Sequence, residues 1–454
     1  MTTSKSQRVD MIIGINDKVK WWQNIVYAIQ QLSVDTTILI LPILLARALN
    51  LPPSASQIML QASLIGAGIV TICQALFILK LPVLQGPAIV FVSVTPAVAI
   101  VAGLPATWTG IILASLLCGV LSILGLWGKT RQILGAAPVY GTVILLAGIT
   151  ISSTIFSQIV GQPNTPNFGH IFNFVEAFIP FAIAVVIVIL IPKSFVRLIS
   201  LLIAAVIAVA VAALNGQMNL SAVGTAHWIG IPAFLPFGFE FNAGAFIVMF
   251  LVLVADLGQV VGNYLLVGEV MGEQTVSNKR IDGGIMTESF GSALGAAFGG
   301  LPTVTYNQNI GAISVTGIGS RFVFATAGAI LIVLGLIPKI AAVVSAIPGP
   351  VIGGLLLVTI AMLCMQAVRV LGSMDMTNAN MFTAGTAIVV GMGVGALPKE
   401  FIATLPALIR PFVASGIVMG FLTAVILYVI FNYLLPKEAS QTIDRPTESS
   451  RSTN

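Results

Sequence analysis

Asp35, Asp256 and Glu288 stand inside long runs of aliphatic residues, and an amide stripe lies beside the second of them. In Val254-Ala255-Asp256-Leu257-Gly258-Gln259-Val260-Val261-Gly262-Asn263, the residues Asp256, Gln259 and Asn263 are spaced i, i+3 and i+7. On a helix they share one face, beside a small-residue stripe made by Gly258 and Gly262, a pattern that suits a cavity wall or an amide clamp between helices. A second amide pair, Gln308-Asn309, follows Tyr306-Asn307 at the head of a short apolar run. A charge inside an apolar span costs about 2.5–3.5 kcal/mol, so each carboxylate must face protein or water. The chemistry open to it is substrate or ion handling; the alternative is a carboxylate paired with a backbone or hydroxyl group for packing. Amide side chains both donate and accept hydrogen bonds. They suit a planar ligand with alternating donors and acceptors better than a metal ion or a sugar phosphate, because the sequence has no His cluster, Cys pair or phosphate loop. No metal, cofactor or enzymatic chemistry is expected. His170 and His227 fall in loop-like stretches and read as solvated, while Cys73, Cys118 and Cys364 lie in apolar stretches and read as core residues without a disulfide.

The elements that position these residues follow from composition. Of 454 residues, 57% are hydrophobic and 8% charged, against about 25% charged in a soluble domain; mean hydropathy is +1.05. That excludes a cytosolic enzyme, a secreted module and a disordered scaffold. With about 20 residues per membrane span, fourteen apolar runs fall at about 22–46, 57–79, 88–103, 108–128, 133–159, 171–192, 196–214, 244–270, 281–300, 304–317, 321–338, 341–367, 378–397 and 409–435. The third opens with Gln85-Gly86-Pro87-Ala88-Ile89-Val90-Phe91 and the tenth with Tyr306-Asn307-Gln308-Asn309; both are too short and interrupted for simple spanning helices.

With the N-terminus inside, of the 20 Lys and Arg only Arg47, Lys339, Lys399 and Arg410 fall outside. Lys5, Arg8, Lys193, Lys437, Arg445 and Arg451 are among those placed inside, as the positive-inside rule requires. The net charge of +5 is therefore a topology signal, and nucleic acid is not implied. Charges at Lys5, Arg8, Asp10, Asp17, Lys18 and Lys20 precede the first apolar run, so no cleavable signal peptide is expected. Seven runs, a polar stretch at about 215–243 and seven more suggest a duplication, inverted because each half holds an odd number. The interrupted run is the third of each half, and matching broken segments point to a binding site near the bilayer midplane.

The run Gln308-Asn309-Ile310-Gly311-Ala312-Ile313-Ser314-Val315-Thr316-Gly317 resembles the signature of the nucleobase/ascorbate transporter family: Gln or a substitute, Asn, any residue, Gly, four residues, Thr, then Arg, Lys or Gly. Leu301-Pro302-Thr303, Ser320-Arg321, Gln85-Gly86-Pro87-Ala88 and Gln30-Gln31 also look like the family, and the resemblance extends from about residue 20 to 436. It implies an all-α polytopic membrane protein with fourteen segments as seven-plus-seven inverted repeats, and short strands in segments 3 and 10. It further implies a core domain and a gate domain that slide in an elevator-like motion, a homodimer, and a nucleobase held between segments 3, 8 and 10. On this division residues 1–20 are a cytoplasmic tail, 21–132 and 244–340 the two parts of the core, 133–243 and 341–436 the two parts of the gate, and 437–454 a second cytoplasmic tail.

By position, the resemblance makes Gln308 the residue that binds the nucleobase edge, with Asn309 supporting it, and Ala88 and Ile89 donors of backbone groups. Gln259 stands where the family has a substrate-binding Glu, Asn263 four residues on where it has Asp or His, Gln31 where it usually has His, and Glu288 where purine-selective members carry an Asp. Tyr306 completes the expected ligand shell. Gln259 does not titrate, so proton coupling is expected at Glu288 first, then Asp256, then Asp35. The expected activity is import of a nucleobase across the cytoplasmic membrane. Purines such as xanthine or urate stand ahead of uracil, because Gln308 resembles the purine members, with protons as coupling ion and membrane lipids around the chain. The alternatives are a uracil permease or a proton-independent nucleobase facilitator.

Overall fold

A computed structural model describes residues 11–161, 168–191, 194–273 and 275–435. Lys5, Arg8, Lys193, Lys437, Arg445 and Arg451, and with them the tail 437–454, lie outside the described residues. Among the described residues, seven helices are long and apolar enough to cross a membrane: Pro53–Ile78, Leu104–Ile123, Ala137–Val160, Ile171–Leu190, Ala243–Val270, Gly349–Gly372 and Gly416–Leu434. Two bent pairs raise the number to nine if each pair is one span, Trp21–Ser33 with Thr37–Ala48 and Arg321–Gly335 with Pro338–Ser345. The protein is thus a mostly helical, multi-pass membrane protein. The fourteen-run reading adds the helices Ile89–Ala102, Ser200–Leu214, Asn278–Ala297, Gln308–Thr316 and Asn378–Gly395. Asn278–Ala297 is the most polar of these, with Lys279, Arg280, Asp282 and Glu288 on one helix.

Two departures from the expected runs have local causes. The run 22–46 is not one helix, because Trp21–Ser33 and Thr37–Ala48 meet at 42°. Ser33-Val34-Asp35-Thr36-Thr37 places hydroxyl and carboxylate groups that compete for backbone hydrogen bonds next to a β-branched residue. Asp35 N–H donates to the Leu32 carbonyl only three residues back, at 3.2 Å. The run 341–367 begins late: Pro338–Ser345 is a separate short helix turned 81° from Arg321–Gly335, and the long helix starts at Gly349 after Pro348. Pro338 is the first residue of its helix, where its missing N–H costs nothing.

The two interrupted segments meet. Strand β1 (Gln85–Pro87) pairs antiparallel with β2 (Thr303–Thr305) in the register Gln85 to Thr305, Gly86 to Val304 and Pro87 to Thr303. All six residues are buried. The ladder continues on both sides, Tyr306 N–H donating to the Leu84 carbonyl at 3.0 Å and Ala88 N–H to the Pro302 carbonyl at 2.8 Å. Each strand runs into a short helix, Ile89–Ala102 and Gln308–Thr316. Because the strands are antiparallel, the half-helices leave in opposite directions with their N-terminal ends toward the pair.

The remaining helices pack in two sets. Trp21–Ser33, Thr37–Ala48, Pro53–Cys73, Leu104–Ile123, Ala243–Val270, Asn278–Ala297 and Arg321–Gly335 pack on one another and on the strands. Ala137–Val160, Ile171–Leu190, Ser200–Leu214, Gly349–Gly372, Asn378–Gly395 and Gly416–Val429 form the second set. Between apolar helices in lipid there is little hydrophobic drive, so backbone approach through small residues does the packing. Gly68 shows this in the first set, where a Cβ would come within 2.5 Å of the Gly328 carbonyl oxygen. Gly416 against the Gly391 carbonyl does the same in the second.

Candidate functional site

The half-helix Gln308–Thr316 begins at Asn307, whose side chain makes no cap, and Ile89–Ala102 begins at Ala88, which has none to offer. The first amides of both helices are therefore free to meet a ligand, and each end carries about half a positive charge from the helix dipole. Gln308 is exposed at the head of its helix, and Gln259 is half-buried on Ala243–Val270. A Cβ added at Gly311 or at Gly262 would meet nothing within 4 Å. Each of these glycines lies three residues after its amide, on the same helix face, so open space borders both Gln308 and Gln259. Ala88 is buried in the ladder and Ile89 half-buried. Both amides and the start of the half-helix after β1 thus lie on elements that meet at the strand pair.

At the strand pair lies a closed network centred on Glu288, which is buried on Asn278–Ala297. Its Oε2 accepts from Tyr264 OH at 2.9 Å, Gln85 Nε2 at 3.1 Å and Thr305 Oγ1 at 3.3 Å. Gln85 Nε2 also lies 2.6 Å from Gln74 Oε1 and 2.6 Å from Thr305 Oγ1. Gln74 Nε2 donates to Tyr264 OH at 2.8 Å and to the Gly284 carbonyl at 2.9 Å. Gln85 Oε1 is buried and unpartnered. The one ion pair among the described residues is Arg280 with Glu273, so Glu288 is held by neutral donors without a cation. Asp256 is buried on the stripe expected for it.

The other residues named from the sequence take supporting positions. Asn263 Nδ2 donates to the Thr305 carbonyl at 2.7 Å, tying Ala243–Val270 to β2. Asn309 is buried and its Nδ2 donates to the Gln31 carbonyl at 2.8 Å and to Gln31 Oε1 at 3.2 Å, which fixes the half-helix to the first segment. Tyr306 braces the ladder: its OH donates to the Pro87 carbonyl at 2.9 Å, and its ring fills the space a Cβ on Gly86 would need. Asp35 sits in the break of the first segment, where Thr37 Oγ1 donates to its Oδ1 at 2.5 Å and its Oδ2 has no partner. His170 and His227 are exposed, and the three cysteines are free.

Gln74, Tyr264 and Thr305 are not marked by the sequence, and Gln85 is marked only as part of Gln85-Gly86-Pro87-Ala88. Gln74 carried the same signal as Asp35, a lone polar group in an apolar run; the others acquire a role only through partners far away in the chain. Asn307 was likewise passed over. Its Nδ2 donates to Gln366 Oε1 at 2.6 Å. Gln366 is on Gly349–Gly372, so this bond joins the two helix sets beside the exposed Gln308. No group of three or more His, Cys, Asp or Glu able to hold a metal occurs among the described residues. What the arrangement can do is bind a polar, flat molecule through amides and helix ends, next to a buried carboxylate.

The chain is 31% identical over 423 residues to the uric acid permease PucJ of Bacillus subtilis (strain 168), covering 89% of this chain and 92% of that protein. It is 30% identical over 403 residues to the uric acid transporter UacT of Escherichia coli (strain K12), covering 86% and 82%. Among solved structures, the murine Slc26a9 anion transporter in the inward-facing state superposes with a TM-score of 0.65 at 13% identity, covering 91% of this chain and 69% of that one, a likeness of fold alone. Residues 22–400 match the Xan_ur_permease model, described as "Permease family", and the chain belongs to that family of membrane permeases.

Proposed function

We propose that the protein imports a nucleobase, a purine such as xanthine or urate, across the cytoplasmic membrane. The observation that carries the reading is the strand pair with its two half-helix N-termini, and the amides Gln308 and Gln259 bordered by open space, in a chain of the permease family. A purine edge presents alternating carbonyl and N–H groups, which Gln308 and Gln259 can meet as donor and acceptor. Partial positive charge from two helix ends favours an electron-rich or anionic base, and urate is an anion at neutral pH. The uric acid permeases among the relatives support the same substrate class.

Transport proceeds by an elevator motion in which the first helix set, carrying the site, slides against the second. Counted with the shorter helices, there are fourteen segments as seven-plus-seven inverted repeats, with core parts 21–132 and 244–340, gate parts 133–243 and 341–436, and both termini cytoplasmic. The working form is a homodimer. Support for two bodies comes from the packing of the helices into two sets, bridged near the site by Asn307 and Gln366. Protons are the coupling ion and Glu288 the carrier, because it is a buried carboxylate held without a cation and linked to both strands. A second reading, a proton-independent facilitator, is favoured by the neutral Gln259.

Uptake of labelled xanthine, urate, uracil and adenine into cells, with and without a proton uncoupler, tests the reading. Saturable accumulation of a purine above equilibrium, lost with the uncoupler, is expected. Equilibration alone identifies the facilitator, accumulation of uracil alone refutes the purine assignment, and no uptake of any base refutes the function.

A further inference from the structure

Residues 226–242 join the two halves of the chain without helix or strand, yet they are tied down along their length. Gly230 N–H donates to the Leu336 carbonyl at 3.0 Å and Leu235 N–H to the Ala297 carbonyl at 2.7 Å. Glu240 N–H donates to Thr109 Oγ1 at 3.0 Å. The segment is a strap across one end of the first helix set. Its backbone is fixed, but Trp228, Ile229, Ile231, Phe234, Phe239 and Phe241 are 60–79% exposed. A fixed strap that holds six large apolar side chains outward in a multi-pass membrane protein has the composition of a bilayer interface, where Trp and neighbouring cations anchor at headgroup level.

Under the strap is a cavity of about 240 Å³ lined by apolar side chains, among them Ile65, Ile231, Pro232, Leu294 and Leu336. Gly66 and Gly295 form its floor, where the helices Pro53–Cys73 and Asn278–Ala297 come together: a Cβ on Gly66 would lie 3.3 Å from Gly295 Cα. The mouth is open, since Leu294 is 44% exposed and Ile231 lies on the strap. A cation stands beside it. Lys339 Nζ lies 4.3 Å from the Trp228 ring centroid, and Pro338 packs on Gly230, the residue before Ile231.

We propose that the strap and cavity hold one anionic phospholipid of the leaflet they lie in, with an acyl chain in the cavity and the phosphate against Lys339. An apolar cavity open to hydrocarbon fills with hydrocarbon, and the Lys339–Trp228 pair supplies charge complementarity at the depth of the headgroup. The lipid would bridge the strap to Pro53–Cys73 and Asn278–Ala297, and so brace the helix that carries Glu288. The proposal does not depend on what is transported.

The test uses the full chain, purified and delipidated in mild detergent, with dioleoylphosphatidylglycerol or dioleoylphosphatidylcholine added. Native mass spectrometry counts bound lipids and thermal unfolding reads stabilisation, since a ligand of the native state raises Tm. One phosphatidylglycerol should bind several-fold more tightly than phosphatidylcholine. Lys339→Gln should remove that preference, while the control Lys399→Gln keeps it. Leu294→Trp should weaken binding at least tenfold by filling the mouth. Ile231→Asp, at an exposed position that does not put folding at risk, should do the same by placing a carboxylate there. Equal binding of both lipids to the unaltered protein, or undiminished binding by Leu294→Trp and Ile231→Asp, overturns the proposal. A second copy of the chain as occupant would show as concentration-dependent dimerisation abolished by Ile231→Asp, and that result also overturns it.

Discussion

Gly86→Ala is the smallest change that should disable the site, and its effect can be worked from contacts. A Cβ on Gly86 would lie 2.5 Å from Tyr306 Cε2 and 2.8 Å from the Tyr306 hydroxyl oxygen, about 1 Å inside ordinary carbon contact. The ring cannot give way locally, because its OH is bonded to the Pro87 carbonyl at 2.9 Å and its backbone to Leu84. Overpacking costs about 1–3 kcal/mol and loss of a buried hydrogen bond about 1–3 kcal/mol, so the variant should lose about 2–6 kcal/mol of stability. Gln308 follows Tyr306 by two residues and shifts with it, so substrate affinity should fall at least tenfold. Thermal unfolding in detergent reads the first effect and competition binding with a purine panel the second. Tyr306→Leu in the same chain relieves the clash, so the double variant should cost less than the sum of the single ones by at least about 1 kcal/mol. Additive costs, or unchanged affinity in Gly86→Ala, would refute the claim that Tyr306 packed on Gly86 sets the position of the half-helix.

Gln308→Ala should weaken uptake affinity at least several-fold with membrane protein levels intact, an amide contact closed over by a bound base being worth about 1–3 kcal/mol; Gln308→Glu should weaken purine uptake relative to uracil in the same competition panel. Asn307→Ala and Gln366→Ala should each change the maximal uptake rate more than the affinity, because their bond joins the two helix sets, and the double variant should match either single one. Gln259→Glu puts a titratable group where a neutral amide stands, so uptake measured from pH 5 to 8 should become more steeply pH-dependent; a flat profile removes position 259 from the site. Glu288→Gln should preserve exchange across preloaded vesicles while abolishing uphill accumulation, and Asp256→Asn should leave accumulation in place; the reverse pattern moves the carrier to Asp256.

Positions that break an apolar pattern were legible in the sequence, and contacts across it were not. Pro87 and the Tyr306-Asn307-Gln308-Asn309 cluster mark the interrupted segments because lipid cannot satisfy open backbone, and both are strand-to-helix transitions in the structure. Asp256, Glu288 and Asn309 stood out as polar residues in apolar surroundings, and all three are buried. The break at Asp35 is hidden in the sequence because Ser33, Asp35, Thr36 and Thr37 make only a short polar interval between two aliphatic runs that together have the length of one span. The network around Glu288 was missed for a different reason. Gln85 and Glu288 are 203 residues apart, and only the strand pairing, which periodicity cannot specify, brings them together. Gln366 is a single amide in an apolar run, and only packing puts Asn307, 59 residues earlier, beside it.

One consequence follows from where the network lies. Glu288 Oε2 is bonded to Gln85 at the end of β1 and to Thr305 at the end of β2, residues paired in the ladder. Two residues after Gln85 comes Pro87, whose carbonyl holds Tyr306; three after Thr305 comes Gln308. A proton on Glu288 would therefore change the hydrogen bonds of both strands at once, and each strand leads directly into a half-helix. Gln85 is the sensitive member. Its Nε2 has two hydrogens but lies within bonding distance of three acceptors, while its Oε1 has no partner. If Glu288 takes a proton, its own O–H becomes a donor and its hold on Gln85 Nε2 weakens, which leaves Gln74 Oε1 and Thr305 Oγ1, each at 2.6 Å, as the two acceptors for the two hydrogens. Rearranging one buried amide costs little compared with moving a helix, and it acts at the point where both half-helices are anchored. On the proposed reading, coupling with a neutral Gln259 would need no carboxylate in contact with the substrate, because a change at Glu288 would pass to the proposed site through the two strands it is bonded to.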